Sequence, residues 1–315
     1  MLAAVADFSP WQQLAQHCLD GLAVGALIAL VALGYTMVYG IIGLINFAHG
    51  DVFMLGALLA WTMLERFGLS GGSSGVATAA GLVAILLAAP LFCAALNVAI
   101  DRLVYRPLRD APPLAPLVSA IGVSFILMNI GQFWAGEADR NVPAPFASHN
   151  LLGENAAVQI RSVDALLFAV VVPLMILLTL LVQRTRLGRA MRATSQNRLA
   201  AQLMGVNVER VIAATFGLGG ALAGVAAFIS VLYNPTVNFQ MGYQNGLYAF
   251  TAAVLGGIGN IPGAVLGGLV IGLVRSLGTG YVGERWTSAI VFAILILILV
   301  FRPAGLLGRA TKEKV

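Results

Sequence analysis

The sequence predicts an all-α, polytopic membrane protein with about eight or nine membrane-spanning helices. Of its 315 residues, 59% are hydrophobic and only 10% are charged, and the mean hydropathy is +0.91. This composition leaves too little polar surface for a water-soluble protein of this length. The apolar runs are about 20 residues long, which suits a helix crossing the hydrocarbon core, and they lack the polar alternation of barrel strands. We therefore expect a single transmembrane domain over residues 1–315.

Nine apolar segments fit this pattern in chain order. The predicted spans are 21–41, 50–65, 76–100, 114–134, 163–183, 211–232, 246–258, 262–276 and 288–301. The seventh and eighth segments are each too short to cross a bilayer, and the glycine- and proline-rich joint between them breaks any helix. If one of these two segments is re-entrant, the chain crosses the membrane eight times rather than nine. Glycine pairs at small-xxx-small spacing, such as Gly21 with Gly25 and Gly268 with Gly272, predict close helix packing.

The distribution of cationic residues predicts the orientation. Of the 18 Lys and Arg residues, 13 lie in three segments, 102–109, 184–210 and 302–314, whereas the alternating segments hold few cations. By the positive-inside rule, the three rich segments and the C-terminus are cytoplasmic, and the N-terminus lies on the outside of the membrane. The net charge of +5 is thereby explained by topology and by contact with membrane lipid, and we expect no nucleic-acid partner.

The residue types that support catalysis are missing from the predicted spans. No G-x-x-x-x-G-K-[ST] motif occurs, so the chain is not expected to bind ATP through a P-loop. Three scattered histidines, His17, His49 and His149, do not form a metal site alone, and we expect no metal, no cofactor and no enzymatic activity. We expect ionisable side chains inside the spans only at His49 and Asp51, which argues against a proton-coupled transporter.

Two breaks in the predicted spans are candidates for the path of a transported molecule. The first is Asn46-Phe47-Ala48-His49-Gly50-Asp51, and the second is the glycine-rich joint after residue 256. Irregular backbone at membrane depth survives only where protein buries it or where it lines a cavity. At the first break, the alternative is that Asn46 and Asp51 cap helix ends and that His49 bonds a freed carbonyl. The candidate residues for the path or its gate are Asn46, His49, Gly259, Asn260 and Pro262.

The segment 184–210 is the longest predicted cytoplasmic loop. Its alanines predict helix, and Gly205 before Asn207 is typical of a helix end. Small side chains let another protein approach the backbone closely, whereas the arginines would equally suit an interfacial helix that binds anionic headgroups. The residues alone leave these two interpretations equal.

Two motifs lie close together in the first spans. They are Gly34-Tyr35-Thr36-Met37-Val38-Tyr39-Gly40 and Ile45-Asn46-Phe47-Ala48-His49-Gly50. This stretch resembles the opening of the permeases of high-affinity leucine/isoleucine/valine ABC importers. The resemblance covers nearly the whole chain, and the outside segment 138–160 is its least distinctive part. Four further stretches agree with the family: 105–109, 119–122, 250–259 and 261–264.

The resemblance implies a type II ABC importer in the inner membrane of a Gram-negative cell. Such an importer contains a heterodimer of two related permeases, two cytoplasmic ATPase subunits and a periplasmic amino-acid-binding protein. It also implies a coupling helix with the pattern Glu-Ala-Ala-x-x-x-Gly, which this chain matches at Ala200, Ala201 and Gly205. Leu199 stands at the glutamate position, so a salt bridge from that position is not expected.

Two alternatives to a branched-chain amino acid permease remain open at this point. A urea or short-chain amide importer is one, because its permeases share an Asn-x-Ala-His-Gly element. A standalone channel or facilitator is the other. A channel or facilitator would need no ATPase partner. Co-purification with an ATPase would therefore distinguish an ABC permease from a channel or facilitator.

Overall fold

The computed structural model describes residues 9–69, 75–109, 111–112, 114–143, 145, 150–153, 158–302 and 304–308, and its regular structure is almost entirely helical. Ala147, His149 and the C-terminal cations after residue 308 lie outside the described residues. The helices are α1 (Pro10–Ile42), α2 (His49–Arg66), α3 (Gly75–Ile100), α4 (Leu114–Ala135), α5 (Ser162–Arg184), α6 (Arg186–Gln196), α7 (Arg198–Leu203), α8 (Val208–Tyr233), α9 (Met241–Gly256), α10 (Ile261–Tyr281) and α11 (Glu284–Phe301). A π-helical turn, Asp101–Tyr105, extends α3. Two short strands, β1 (Arg140–Asn141) and β2 (Thr236–Val237), pair antiparallel.

All nine predicted spans coincide with helices of the structure. Seven of them, α1, α3 with its π turn, α4, α5, α8, α10 and α11, are long and apolar enough to cross a membrane. The other two are marginal, because α2 carries three charged residues in 18 and α9 has only 16 residues. The prediction of an all-α polytopic membrane protein is confirmed.

Helix α1 begins earlier than predicted. The apolar run predicts a span from residue 21, but the helix starts at Pro10, and Ser9 and Gln12 form a capping box at its start. At 33 residues, α1 is about 50 Å long, so it extends well beyond a single hydrocarbon core.

Glycines set the closest helix contacts, as the small-xxx-small spacing predicts. Helices α1 and α10 run antiparallel, and a Cβ atom at Gly25 would lie 2.8 Å from the Cα atom of Leu269. Helices α3 and α8 approach in the same way, since a Cβ atom at Gly224 would lie 2.5 Å from the Cα atom of Pro90. Because lipid supplies no hydrophobic drive for helix association, these backbone contacts hold the bundle together.

Arginines are concentrated at one end of the bundle, in α6 and α7. Arg198 of α7 donates a hydrogen bond to the carbonyl of Ile42 at 2.6 Å, so these two helices lie against the carboxyl end of α1. We call this the arginine-rich end. The β1–β2 pair lies at the opposite end, where the indole of Trp61 in α2 donates to the carbonyl of Asn141 at 3.1 Å.

Candidate translocation path

Asn46 lies in the first break, just before α2, and its side chain is buried. Its amide nitrogen donates to Oδ1 of Asn97 in α3 at 3.0 Å, and Asn97 in turn donates to the carbonyl of Phe216 in α8 at 2.7 Å. The hydroxyl of Tyr105 donates to Oδ1 of Asn46 at 3.3 Å. The N-cap of α2 is Ala48, so Asn46 does not cap this helix but ties the break to α3 and α8.

His49 begins α2 and is completely buried. Its ring lies edge-on to Tyr35, with the ring centroids 4.8 Å apart. The imidazole occupies the space beside Gly34 in α1, where a Cβ atom would overlap it. Neither ring nitrogen forms a hydrogen bond of ordinary geometry with the described residues, so the alternative of a bond to a freed carbonyl is not observed.

Asp51 points in a different direction from Asn46 and His49. Its Oδ2 accepts a hydrogen bond from the hydroxyl of Ser124 in α4 at 2.5 Å. Its Oδ1 has no hydrogen-bond partner among the described residues, and the carboxylate is 2% exposed. It lies in the first turn of α2 without acting as its N-cap.

The second break separates α9 from α10, as predicted. Asn260 is the N-cap of α10: its Oδ1 accepts from the backbone of Gly263 at 3.4 Å, and its Nδ2 donates to the carbonyl of Leu307 at 2.7 Å. Pro262 lies in the first turn of α10, where its missing N–H is no loss. Gly259 has a φ of +90° and lies against Gly40 of α1.

The second break lines a large cavity at the arginine-rich end. The cavity has a volume of about 960 Å³ and is bounded by Gly259, Asn260 and Pro262, by the carboxyl end of α1, and by Arg192 and Arg198 of the segment α6–α7. Asn46 and His49 are instead buried deeper in the bundle. The five predicted path residues are therefore not brought into one site, although α1 contacts both breaks.

A second cavity, of about 540 Å³, lies at the opposite end between α1, α8, α9 and α10. One wall is apolar, and polar and charged groups of α1, α9, α10 and α11 line much of the rest. The apolar side chains are Val24, Leu27, Ile28, Val31 and Phe53, and the polar ones include Asp20, Gln244, Asn245, Arg275 and Glu284. This cavity combines surface for an aliphatic group with groups that can hydrogen-bond a charged one.

The charged groups of this cavity correct one sequence-based expectation. Ionisable residues inside the spans were expected only at His49 and Asp51, but Arg275 lies within α10 and Asp20 within α1. The guanidinium of Arg275 lies 4.8 Å from the ring centroid of Tyr248. The signal for Arg275 was present, since it is the single cation of an otherwise apolar, glycine-rich span.

The region between the two cavities is closely packed. Leu30, Leu33 and His49 are each completely buried there, and Gly219 of α8 approaches the backbone of Gly34. The structure thus has a cavity open at each end and a packed barrier between them.

The predicted coupling segment forms two short helices rather than one. Thr185 caps α6, Asn197 caps α7 by accepting from the backbone of Ala200 at 3.0 Å, and Gly205 follows α7 with a φ of +81°. Ala200 and Gly205 are exposed, whereas Ala201 is buried within the chain. Three large apolar side chains of this segment, Leu199, Leu203 and Met204, are exposed at 66%, 81% and 84%, which the sequence analysis did not predict.

An ion-pair cluster lies at the start of α8, close to α7. Arg109 contacts Asp101 at 2.6 Å and Glu209 at 2.5 Å, and Arg106 contacts Glu209 at 2.9 Å. Arg109 and Asp101 are almost fully buried, so solvent screens this part of the cluster little. The cluster joins the π turn after α3 to the first turn of α8.

The fold and these cavities define a multi-pass helical membrane protein of the transport class. The chain belongs to the family described as the permease component of the branched-chain amino acid transport system, because the model of that family matches residues 18–300. No solved structure matches the chain.

Similar proteins share almost the full length of the chain. The high-affinity branched-chain amino acid transport system permease protein BraD of Pseudomonas aeruginosa is 41% identical over 302 residues, which are 95% of this chain and 97% of BraD. The corresponding permease protein LivH of Escherichia coli K12 is 40% identical over 303 residues, with the same coverage. A probable branched-chain amino acid transport permease protein of Methanocaldococcus jannaschii is 29% identical over 90% of this chain and 89% of its own length. Together with the seven apolar helices, these relatives indicate a multi-pass inner-membrane protein.

Proposed function

We propose that this chain is one permease subunit of an ABC importer that moves branched-chain amino acids across the inner membrane. The observation that carries the proposal is 41% identity, over 95% of the chain, to a permease protein of a high-affinity branched-chain amino acid transport system. Because the sequence has no P-loop, two separate ATPase subunits supply the energy. A second, related permease and a periplasmic binding protein complete the importer.

The proposed orientation places the arginine-rich end in the cytoplasm. Arg102, Arg106 and Arg109 follow α3, and α6 and α7 add four more cations at the same end of the bundle or beside it. The N-terminus is then periplasmic and the C-terminus cytoplasmic. In this orientation the 540 Å³ cavity faces the periplasm and the 960 Å³ cavity faces the cytoplasm.

The proposed path runs from the periplasmic cavity to the cytoplasmic one by alternating access. The packed region around His49 is the gate, and Asn46 holds the start of α2 in place through its bond to Asn97. Gly259, Asn260 and Pro262 line the exit. The apolar wall of the periplasmic cavity suits a branched aliphatic side chain, and its polar groups suit a zwitterionic backbone.

The proposed contact with the ATPase is α7 and the turn that follows it. Ala200 and Gly205 permit close approach, and the exposed side chains of Leu199, Leu203 and Met204 add an apolar surface that lies outside every span. Ala201, which is buried, holds α7 against its own chain. Because Arg198 of α7 donates a hydrogen bond to the carbonyl of Ile42 in α1, a displacement of α7 is transmitted directly to α1.

Competition for uptake tests the substrate class. In cells that express the chain with its native partners and lack other leucine importers, we expect uptake of radiolabelled leucine that excess isoleucine or valine inhibits. Urea and acetamide should not inhibit it. Strong inhibition by urea or acetamide, with little by valine, would instead identify an importer of urea or short-chain amides.

A further inference from the structure

Asp51 places a buried carboxyl group inside a membrane-spanning bundle, and no described cation lies against it as an ion-pair partner. No ion pair of the described residues includes it, and the hydroxyl of Ser124 satisfies only one of its two oxygens. An ionisable side chain at this depth is costly and marks a functional site unless a partner is present. The free oxygen, Oδ1, therefore has unused capacity for a hydrogen-bond donor.

The carboxylate of Asp51 lines a cavity of about 120 Å³ between α2, α4 and α9. Aromatic side chains of α1, the first break and α9 surround this cavity, and aliphatic ones complete it. The aromatic residues include Tyr35, Phe47, Tyr243 and Phe250, and the aliphatic ones include Ile121, Met128 and Leu247. Tyr243 and Ile121 are 63% and 41% exposed, so the cavity opens on the flank of the bundle between α4 and α9.

The composition of this cavity suits the ammonium group of an organic ligand. Aromatic rings attract cations through their faces, and a carboxylate accepts charge-assisted hydrogen bonds from an ammonium group. A hard metal ion is a poor fit, because Ca²⁺ takes six to eight oxygen ligands and the cavity offers one carboxylate and a few hydroxyls. The aliphatic residues beside the carboxylate suit a ligand in which an ammonium group adjoins a hydrocarbon chain.

We propose that the cavity beside Asp51 binds the α-ammonium group of the transported amino acid, with the aliphatic side chain of the ligand against α4 and α9. This inference rests on the proposed function and adds to it a substrate contact beside the gate, because Tyr35 lines this cavity and lies edge-on to His49. The same flank exposes Tyr243, whose hydroxyl lipid cannot hydrogen-bond. We therefore place this flank against the second permease rather than against lipid.

The test replaces Asp51 by Asn in the complete importer, reconstituted into proteoliposomes with its binding protein and ATP. Asn keeps the size of the side chain and can still bond Ser124, but it removes the negative charge. Because a hydrogen bond to a charged group contributes about 1.5–3 kcal/mol, we expect leucine uptake to fall about tenfold or more in Asp51→Asn. ATPase association and the level of protein in the membrane should match those of the wild type.

Two control variants separate charge recognition from a structural role. Glu65→Gln makes the same chemical change at the exposed end of α2 and should leave uptake unchanged. Ser124→Ala removes the bond between α2 and α4 but keeps the carboxylate, so it should reduce uptake less than Asp51→Asn does. Equal losses in Ser124→Ala and Asp51→Asn would show that Asp51 only ties the helices together, and wild-type uptake in Asp51→Asn would overturn the proposal.

A second pair of variants applies if Asp51→Asn fails to insert. Tyr243 is exposed in the chain, so Tyr243→Phe and Tyr243→Leu should both fold. We expect the Phe variant, which keeps the ring face, to transport leucine at least severalfold faster than the Leu variant. Equal rates in the two would overturn the proposal. If the wild-type importer moves no leucine, isoleucine or valine at all, the proposed function fails and this inference fails with it.

Discussion

The two breaks of the bundle are stabilised by different residue chemistry. At the first break, a side-chain network from Asn46 through Asn97 satisfies the polar groups, and glycine at position 34 makes room for His49. At the second break, Asn260 caps a helix and Gly259 adopts a backbone conformation that other residues resist. Composition alone indicates the second kind of break more clearly, because glycine and proline mark it directly, whereas the partners of Asn46 lie far away in the sequence.

Gly259 gives the residue-scale prediction. A β-branched residue at a φ of +90° is strained by about 1–3 kcal/mol, so Gly259→Val should lower both leucine uptake and the melting temperature in detergent. Gly263→Val should be worse, since a Cβ atom there would overlap the carbonyl oxygen of Gly256. Gly75→Val, at an open helical position, is the control and should behave like the wild type. Wild-type uptake and stability in Gly259→Val would show that the break is a tolerated kink.

Most helices were predictable from the sequence because lipid demands long apolar runs. The starts of α1 and α9 were not, since Gln12, Gln16 and Asp20 in α1 and Gln244 and Asn245 in α9 read as polar flanks. Of these five residues, Asp20, Gln244 and Asn245 line the periplasmic cavity of the proposed orientation. A hydropathy pattern cannot separate a polar flank from a polar cavity wall, because only the packing of the other helices decides which it is.

The structure of the coupling segment was also only partly predictable from its sequence. The alanines and Gly205 predicted a helix with a close-contact surface, but the break at Asn197 and the direction of each side chain came from the structure. Ala201 faces inward and Leu203 faces outward, although only Gln202 separates them in the sequence. With six residues, α7 is too short for the periodicity of its sequence to reveal which face is buried.

Helix α7 gives the element-scale prediction. Gly205→Glu places a charged side chain in the turn after α7, where φ is +81°. If this change costs the docking contact about 1–3 kcal/mol, the association of the chain with its ATPase weakens about ten- to a hundredfold. We expect the variant to insert normally but to lose ATPase on co-purification. Leu203→Glu should do the same through the apolar surface alone.

The matched control for α7 is Gly205→Asn. Asn accepts left-handed backbone conformations better than other non-glycine residues, so this variant should retain the ATPase. If Gly205→Glu and Leu203→Glu both bind the ATPase and transport normally, the segment is a headgroup-binding surface and not the coupling contact.

The orientation of the whole molecule is a separate prediction. A reporter fused near Gly205 should be active only as a cytoplasmic protein, and one near Ala147, outside the described residues, only as a periplasmic protein. The physical reason is the concentration of cations in the segments 102–109 and 184–210. The reverse pattern of reporter activity would contradict the orientation and, with it, the assignment of entry and exit cavities.

At the scale of the molecule, one helix links the elements of the proposed cycle. Helix α1 lines the cavity at each end, packs against His49 in between, and receives the bond from Arg198 at its carboxyl end. A closed barrier between two cavities is what alternating access requires, whereas a channel needs a continuous pore. We therefore predict that leucine crosses the membrane only when ATP hydrolysis drives the conformational change.

ATP-dependent accumulation of leucine in proteoliposomes tests this claim most directly. The vesicles contain the chain with its second permease and ATPases, with ATP in the lumen and binding protein outside. We predict that labelled leucine accumulates above its external concentration, and that removing either the ATP or the binding protein abolishes the accumulation. Leucine that equilibrates across the membrane without ATP, or with this chain alone, would contradict the account and identify a channel or facilitator.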